Sequence, residues 1–453
     1  MRIVLGVCLS MFAAGCAHTG KTSAPNAPGA SSATELNQQA RQAYNALDFP
    51  ACAEQFRQAA ESSPDDSRAE PFYRAAGCAA LAGEHARALE LLERSVQSGY
   101  AHLDHLRFNP ELSSLHALPG WQKVLAGTEA NHQKAPPPPS FPIVPLKGID
   151  VYGSRRVDLE TVRRLLGLEL GAPAVPSQAI FRRTEKALRE QYNLAFAEIS
   201  FHYYVGETPE DVGAAYITAA LVDAEDARQL RFLSEPSGHP EDPEGLVAQW
   251  QAYETKSFQL MESGALDMEK EFTCRVAHCL LGFDHPELAS FEPLFVAKVP
   301  ASREGLTKVL REEADWEKRA ATAYLLAYAG TPEQVFERLV PFIRDPSGGV
   351  RNNVLRVLIA TQEQADHPLV DLETVLDALG LPESADRNKS LYLLKMVLED
   401  LKPEDLKAQR APLMQRIGPM LRTMAALQQP VIREPAVEVL KLLSDEATIP
   451  PSP

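Results

Sequence analysis

Cys274, His278, Cys279 and His285 place four soft or borderline metal ligands within twelve positions of a 453-residue chain, a set that in principle holds zinc. Their spacing is not that of a Cys-x-x-Cys knuckle, and on a continuous helix Cys274 and Cys279 fall on different faces. A disulfide between them needs a helix that begins or kinks in the interval, because five residues of intact helix keep the two backbones too far apart. Disulfide, free buried thiols and metal are therefore all open for this pair. A second string, Gly15-Cys16-Ala17-His18-Thr19-Gly20-Lys21-Thr22, satisfies the Gly, four residues, Gly-Lys-Thr pattern of a phosphate-binding loop. That chemistry needs a strand feeding the loop and a helix leaving it. Here a hydrophobic leader precedes it and Ser23-Ala24-Pro25-Asn26-Ala27-Pro28-Gly29 follows, so no nucleotide is expected. No Gly-x-Ser-x-Gly elbow, His-Glu-x-x-His helix or paired Cys-x-x-Cys accompanies these residues, and the scattered carboxylates carry no acid–base assignment. The expectation is a protein that is not an enzyme and uses no cofactor.

The leader itself is informative. Arg2 supplies a positive start, Ile3 to Phe12 form a short apolar run, and Ala13-Ala14-Gly15 lead into Cys16, which together read as a secretory signal. The run is too short to span a bilayer permanently. The small-small-Gly-Cys ending resembles the bacterial lipobox, which implies cleavage before Cys16 and a diacylglyceryl group on its sulfur. Ala17 is compatible with outer-membrane sorting by the enterobacterial rule. Membrane contact is then expected through the N-terminal lipid, in the bacterial cell envelope, at the outer membrane facing the periplasm. A net charge of −16 argues against nucleic acid and against docking on anionic lipid. Of six cysteines, Cys8 leaves with the leader and Cys16 carries lipid, so Cys52, Cys78, Cys274 and Cys279 would meet an oxidising compartment.

The elements around these residues follow from composition and period. After the leader (1–15), residues 16–33 have the Ser, Ala, Pro and Gly content of a flexible tether. Leu36, Ala40, Ala43, Tyr44 and Leu47 then recur at helical steps, Asp48-Phe49-Pro50 breaks the run, and Cys52, Phe56 and Ala59 continue it on a second helix. A similar pair carries Phe72, Ala75, Ala76 and Ala79, then Ala88, Leu89, Leu92 and Val96. Phe49, Cys52, Phe56, Ala59 and Pro64, with His85, Ala88, Leu92 and Ser95 in the same register, resemble the second helix of tetratricopeptide repeats. Gln39 departs from that pattern, and two repeats are visible, with Leu112, Leu115, Trp121 and Leu125 supplying a closing helix. The resemblance, over 34–130, implies a surface that binds extended peptides or proteins, with a structural spacer as the alternative. In such repeats the helices of Cys52 and Cys78 pack together, so a bridge is geometrically reasonable, and two unpaired buried thiols are the other reading. His102 and His105 are expected at the surface.

Pro136 to Pro139 sit in a stiff linker, 131–142. Beyond it come a strand through Ile149 to Gly153, a helix with Leu159, Val162, Leu165 and Leu166, and a longer helix from Ile180 to Tyr192. Two alternating strands follow, Phe196 to Val205 and Ala214 to Asp223. This β-α-α-β-β order over 143–235, with Ile149-Asp150-Val151-Tyr152-Gly153, Gly171 and Pro173, resembles the POTRA module of outer-membrane assembly and secretion proteins. The resemblance implies that Ile199, Phe201, Tyr203 and Val205 lie on an edge strand able to take a partner strand; a protected edge is the alternative. Pro236 to Pro243 break the pattern again, and helical pairs are expected throughout 245–445. Asp345-Pro346 with Arg351 six residues on, and Arg319 one repeat earlier, resemble the HEAT repeat, which implies a structural Asp–Arg ladder for Asp345 and Arg351. Later units around Leu376, Leu391, Ile417 and Leu440 keep the period and lose the motif.

The fold class expected is α+β, predominantly α: N-terminal helical repeats, a small β-α-α-β-β domain and a C-terminal α-solenoid. The function expected is a lipid-anchored cell-envelope scaffold or adaptor that binds other envelope proteins, in outer-membrane assembly or secretion. The alternative is a metal- or small-ligand-binding envelope protein using the Cys274–His285 region.

Overall fold

The computed structural model describes residues 32–136, 143–204, 213–266 and 272–444, and these form a predominantly α, α+β protein. The described chain divides into two compact units, one of residues 32–151 and 155–219, the other of 152–154 and 220–444. Cys16, Val205 and the Gly15–Thr22 string lie outside the described residues.

The first unit begins with four helices, α1 (Ala33–Asn45), α2 (Phe49–Ser62), α3 (Ala69–Leu81) and α4 (His85–Gln97), each packed on the next. Local chemistry sets their starts. The Ser32 hydroxyl accepts from the Glu35 amide while the Glu35 carboxylate accepts from the Ser32 amide, satisfying two donors a helix start leaves open. Asp48 does the same for α2 through the Ala51 amide at 3.2 Å. Small residues then let the helices approach: Cys52, Ala53, Ala59, Ala75, Ala76, Cys78, Ala79 and Ala88 are all 0–1% exposed, with Phe56, Phe72 and Leu92 filling the space between. Cys52 on α2 and Cys78 on α3 face each other at disulfide distance, their Cα atoms 5.9 Å apart. Helices α5 (Leu103–Phe108) and α6 (Trp121–Lys134) close the row, with α6 against α4. His102 and His105 are half-buried rather than at the surface as expected: the His102 ring lies 5.6 Å from that of Tyr100, which stacks on Tyr73 at 4.4 Å, and 5.7 Å from that of His105.

The chain continues through β1 (Val144–Tyr152), α7 (Leu159–Leu166), β2 (Pro173–Ala174), α8 (Gln178–Tyr192), β3 (Leu194–Tyr204) and β4 (Ala214–Asp223), with 152–154 and 220–223 counted in the second unit. The sheet order is β2-β1-β4-β3, and β2, unforeseen because two residues show no period, pairs antiparallel with the start of β1. Gly153 ends β1 at φ +91, where a side chain would also strike the Leu221 carbonyl, so both backbone angle and space demand glycine. A buried polar knot joins helices and sheet. Tyr44 and Ser177 both donate to Glu111 Oε1, at 2.5 and 2.8 Å, and the Tyr44 oxygen accepts from the Ala179 amide at the start of α8. Of the segments expected at 34–130 and 143–235, residues 32–151 and 155–219 fall in one unit, while 152–154 and 220–235 fall in the other.

The second unit contains α9 (Leu246–Glu262), α10 (Phe291–Glu312), α11 (Trp316–Leu325), α12 (Pro332–Leu339), α13 (Gly348–Gln362), α14 (Leu372–Leu379), α15 (Ser384–Glu399), α16 (Pro403–Ala425) and α17 (Pro430–Leu443). Helices α9, α11, α13, α15 and α17 form an inner row in which each packs on the next; α10, α14 and α16 pack on members of that row, and α12 packs on α13. One continuous apolar core runs from Leu246 to Leu443. Its largest side chain, Trp250, is fully buried and lies 5.3 Å from both Phe295 and Tyr324.

Two buried arginines repeat one device across this row. Arg319 donates through Nη1 to the Glu313 and Ala314 carbonyls of its own turn, and through Nε and Nη2 to Asp345 at 3.0 and 2.9 Å. One unit later Arg351 donates to the Asp345 and Pro346 carbonyls and reaches Asp386 at 3.0 Å and Glu383 at 2.7 Å. Each arginine therefore ties its own turn to the acid of the following unit. Asp345 and Arg351 meet through a backbone carbonyl, and their side-chain partners are Arg319 and Asp386. The acid of the second rung sits on the first turn of α15 rather than in an Asp-Pro turn, which is why the motif fades from the sequence while the contact persists.

The segment before α9, expected as a simple break, runs extended along these turns in the direction opposite to the helix order. Arg231 pairs with Asp377 at 3.1 Å, Phe232 lies 4.5 Å beneath the Arg351 guanidinium, and the Leu233 amide donates to the Arg344 carbonyl at 2.7 Å. Further on, Gly238 pairs with residues 312–314 as a short parallel bridge, and Asp242 caps α9 through the Val247 and Ala248 amides. Phe232→Ala is expected to weaken this strap by about 1–2 kcal/mol, the worth of a desolvated cation–π contact and part of a buried ring. Hydrogen exchange should then speed up at the Leu233 and Gly238 amides and stay unchanged in α2 and α3.

Candidate functional site

The first candidate is the sheet edge. Strand β3 stands at one end of the sheet, paired on its inner side with β4 and covered by α8. Its outward backbone groups are partly in use: the Ile199 amide donates to Glu185 Oε1 at 2.8 Å, and the Ala197 carbonyl accepts from Arg189 at 3.0 Å. Both side chains come from α8, and burial raises the pKa of Glu185. Ile199 is 5% exposed, Phe201 stacks on Phe181 of α8 at 6.5 Å, and burial raises the Tyr203 hydroxyl. Ile199, Phe201 and Tyr203 thus share the face toward α8. These two caps close the edge at Ala197 and Ile199 to an added strand. The Glu185 and Arg189 caps were not foreseen, because a side chain closing a strand edge from another element leaves no periodic mark.

The second candidate is the segment from Ser263 to Ser290. A helix was expected there, and the described part is irregular: Gly264 and Gly282 both take positive φ, and Pro286 follows. This irregularity removes the geometric objection to bridging, and Cys274 and Cys279 stand at disulfide distance with Cα atoms 5.8 Å apart. The Tyr253 hydroxyl fixes the segment from below, accepting from the Leu281 amide at 3.1 Å and donating to the Gly282 carbonyl at 3.0 Å. Thr273 bonds Asp284, and the Arg275 amide bonds Glu292. Pairing occupies both sulfurs. His285 Nδ1 accepts from the Glu287 amide at 3.2 Å, away from His278. Among the described residues no three His, Cys, Asp or Glu side chains gather as a metal site.

His278 is the member of this set that the fold places most deliberately. Its ring lies 5.1 Å from that of Tyr324 on α11, and its Nε2 is shut from solvent with no hydrogen-bond partner. Burial, reinforced by Arg356 on α13 and Lys389 on α15, holds its pKa down to about 3. Arg356 also draws the Tyr324 hydroxyl pKa down, against the burial that raises it. Four successive inner helices each carry one polar residue of this set, Glu254, Tyr324, Arg356 and Lys389, and the His278 ring lies against Tyr324. Lys389 belongs to a polar run on α15, Ser384 to Ser390, in which Ser384, Asp386, Arg387, Asn388, Lys389 and Ser390 are all buried. Sequence reasoning assigns such a run to solvent; the only prior sign was that no apolar face interrupts it.

Glu254 titrates in the opposite sense to His278. Burial, with Glu317 adding like charge, pushes its carboxyl from 4.5 up to about 7. A raised carboxyl pKa means that the unfolded chain ionises first, so this group costs stability as pH climbs from about 4.5 to 7. His278, held neutral, contributes stability above its ordinary value of 6.5 and loses it as pH falls toward about 3. Glu254→Gln is expected to stabilise the chain by ~1–3 kcal/mol at about pH 8 and to change little at about pH 5. Urea midpoints at the two pH values check both halves of that statement.

Comparison of the chain with models of protein families, with curated proteins and with solved structures found no match.

Proposed function

We propose that the chain is a lipid-anchored scaffold of the bacterial cell envelope that positions other envelope proteins, with Cys16 as the acylated residue. The observation that supports this reading most is the presence in one chain of two rows of helices, one from α1 to α6 and one from α9 to α17, each with its own apolar core. Such rows, tetratricopeptide-like and HEAT-like in this proposal, offer long surfaces built from many similar helices, and α-solenoids use those surfaces for partners. In this reading β3, at the end of the small sheet between them in sequence, is the strand beside which a partner segment would lie. A negative chain with an acyl group at Cys16 would meet the membrane through lipid, leaving its protein faces for other proteins. Two cysteine pairs at disulfide distance suit an oxidising compartment outside the cytoplasm.

The test is photo-crosslinking in cells from substituted positions Phe201 and Tyr203 on β3 and Asn352, half-buried on α13, followed by mass spectrometry. The scaffold reading expects discrete protein adducts that recur from one position to the next. Absence of any reproducible protein adduct from all three would remove it. Intact-mass measurement of the membrane-extracted protein checks the anchor separately: a start at diacylglyceryl-Cys16 is expected, and an unprocessed, unmodified Met1 start would defeat it.

A further inference from the structure

We propose that the Cys274–Cys279 bridge is a reversible redox latch: a dithiol reductant opens it by attack on Cys274, and the opened loop frees His278 from its seat against Tyr324. The scaffold reading does not require the latch, and the cross-linking that tests that reading has no bearing on it.

The bridge closes a sequence separation of 5 within residues 272–290, which hold neither helix nor strand. A loop this short constrains the unfolded chain less than a long one, so the bond adds comparatively little to the fold. The segment is anchored outside the loop instead. On one side the Thr273 hydroxyl donates to Asp284 at 2.6 Å. On the other the Tyr253 hydroxyl holds Leu281 and Gly282, the Phe283 ring stacks on Tyr253 at 4.6 Å, and Leu288 is fully buried. Cutting the bridge therefore frees residues 274–279 while α9, α10 and α11 keep their mutual packing. The two sulfurs also differ in access. Cys274 is half-buried, whereas Cys279 is 5% exposed and belongs to the core, so a reductant meets Cys274 first.

His278 gives the latch something to release. Its Nε2 is shut from solvent without a hydrogen-bond partner, a state proteins rarely keep without use. Its ring lies 5.1 Å from that of Tyr324, and Arg356 and Lys389 oppose its protonation. Water would satisfy the nitrogen and favour the charged form, so the imidazole gains by leaving. The covalent closure at Cys279, the next residue, keeps it in. In the exchange a thiolate of the reductant attacks Cys274 Sγ, the Sγ–Sγ bond breaks, and Cys279 leaves as a thiolate that takes a proton from water. The reductant's second thiolate then attacks the mixed disulfide, Cys274 leaves and is protonated in turn, and the reductant departs as a disulfide. Two electrons and two protons have passed to the bridge. Once a thiol, Cys279 has the Thr273 carbonyl as an acceptor 3.8 Å away.

The experiment uses the full mature chain, oxidised and then treated with dithiothreitol without denaturant, while the His278 ring is followed by NMR between about pH 5 and 8. In the oxidised chain the ring is expected to stay neutral across that range, its pKa being held down to about 3. In the reduced chain it should titrate near its ordinary value of 6.5, and reoxidation should silence it again. Alkylation and mass mapping should find Cys274 and Cys279 open with Cys52 and Cys78 still joined, and far-UV circular dichroism should be unchanged. Cys274→Ser should give the titration of the reduced chain without any reductant. Should that variant fail to fold, reduction and reoxidation of the unaltered chain decide alone. The latch is not there if His278 titrates alike in both forms, or if Cys274 and Cys279 stay joined until denaturant is added. Loss of the helical signal on reduction would equally overturn it, since the bond would then hold the unit together rather than one loop.

Discussion

Arg351→Met is expected to destabilise the helical row of the second unit by about 3–5 kcal/mol, the cost of leaving a buried acid without its cation. Arg351 is 0% exposed, and so is the Asp386 side chain it meets through both Nε and Nη2. The variant also strips the Asp345 and Pro346 carbonyls of their donor and removes the cation above Phe232. A methionine fills part of the volume but supplies no hydrogen. The double variant Arg351→Met, Asp386→Leu should recover part of the loss, because it removes the buried Asp386 charge, while Glu383 and the two carbonyls stay without their donor. Arg416 and Glu373 serve as the control: they pair on the surface, 49% and 72% exposed, and Arg416→Ala should cost less than about 1 kcal/mol. Urea denaturation followed by circular dichroism reads all three. A single variant no more costly than the surface control would show that the rung is ornamental and that apolar packing alone orders the row.

The arginine rungs also show what kind of information a sequence carries. Arg319 and Arg351 are legible because they recur one repeat apart, each six residues after an acid whose backbone they cap. Asp386 is not, since its place on the first turn of α15 breaks the interval while keeping the contact. The helices around them follow from period: Leu36 and Ala40, Cys52 and Phe56, Leu355 and Leu358 stand at three- and four-residue steps and lie buried as those steps require. The alternation of Ile217, Ala219 and Leu221 marked β4 as a strand by the same logic, although the strand is buried on both faces. Where stabilising groups come from afar, period is silent. The strap from Arg231 to Asp242 has no internal repeat, and its partners are carbonyls and amides at 312–314 and 344 whose residue types are irrelevant. Phe283, Leu288 and Cys279 reach the core from an irregular segment, so their apolar character suggested a helix where there is none. The row of Glu254, Tyr324, Arg356 and Lys389 takes one residue from each of four helices, and no spacing in the sequence connects them. Its visible trace was His278, noticed for its neighbours Cys274 and Cys279 and for a chemistry that their pairing withdraws.

Removing the Cys52–Cys78 bridge should cost about 3–4 kcal/mol, because it closes a separation of 26 residues and the gain grows with the logarithm of the loop. The Cys274–Cys279 bridge spans five and should be worth only about 2 kcal/mol on the same reasoning. Access reverses the usual order of attack. Cys52 and Cys78 are 0% and 1% exposed between α2 and α3, so a reductant reaches them only when those helices open. Cys274 is half-buried on an irregular segment and can be met in the folded chain. Graded reduction of oxidised protein is therefore expected to release two thiols first, from Cys274 and Cys279, with α1 to α6 still folded. The second pair should follow only with denaturant, and its release should lower the unfolding midpoint of those helices. Cys52→Ala with Cys78→Ala tests the energy without reductant, at the expense of two small cavities that contribute about 1 kcal/mol each. Mass mapping after alkylation identifies which sulfurs react at each step. Simultaneous release of all four thiols would mean that α2 and α3 open as readily as the loop; four free thiols in protein taken from an oxidising compartment would mean that neither bridge forms.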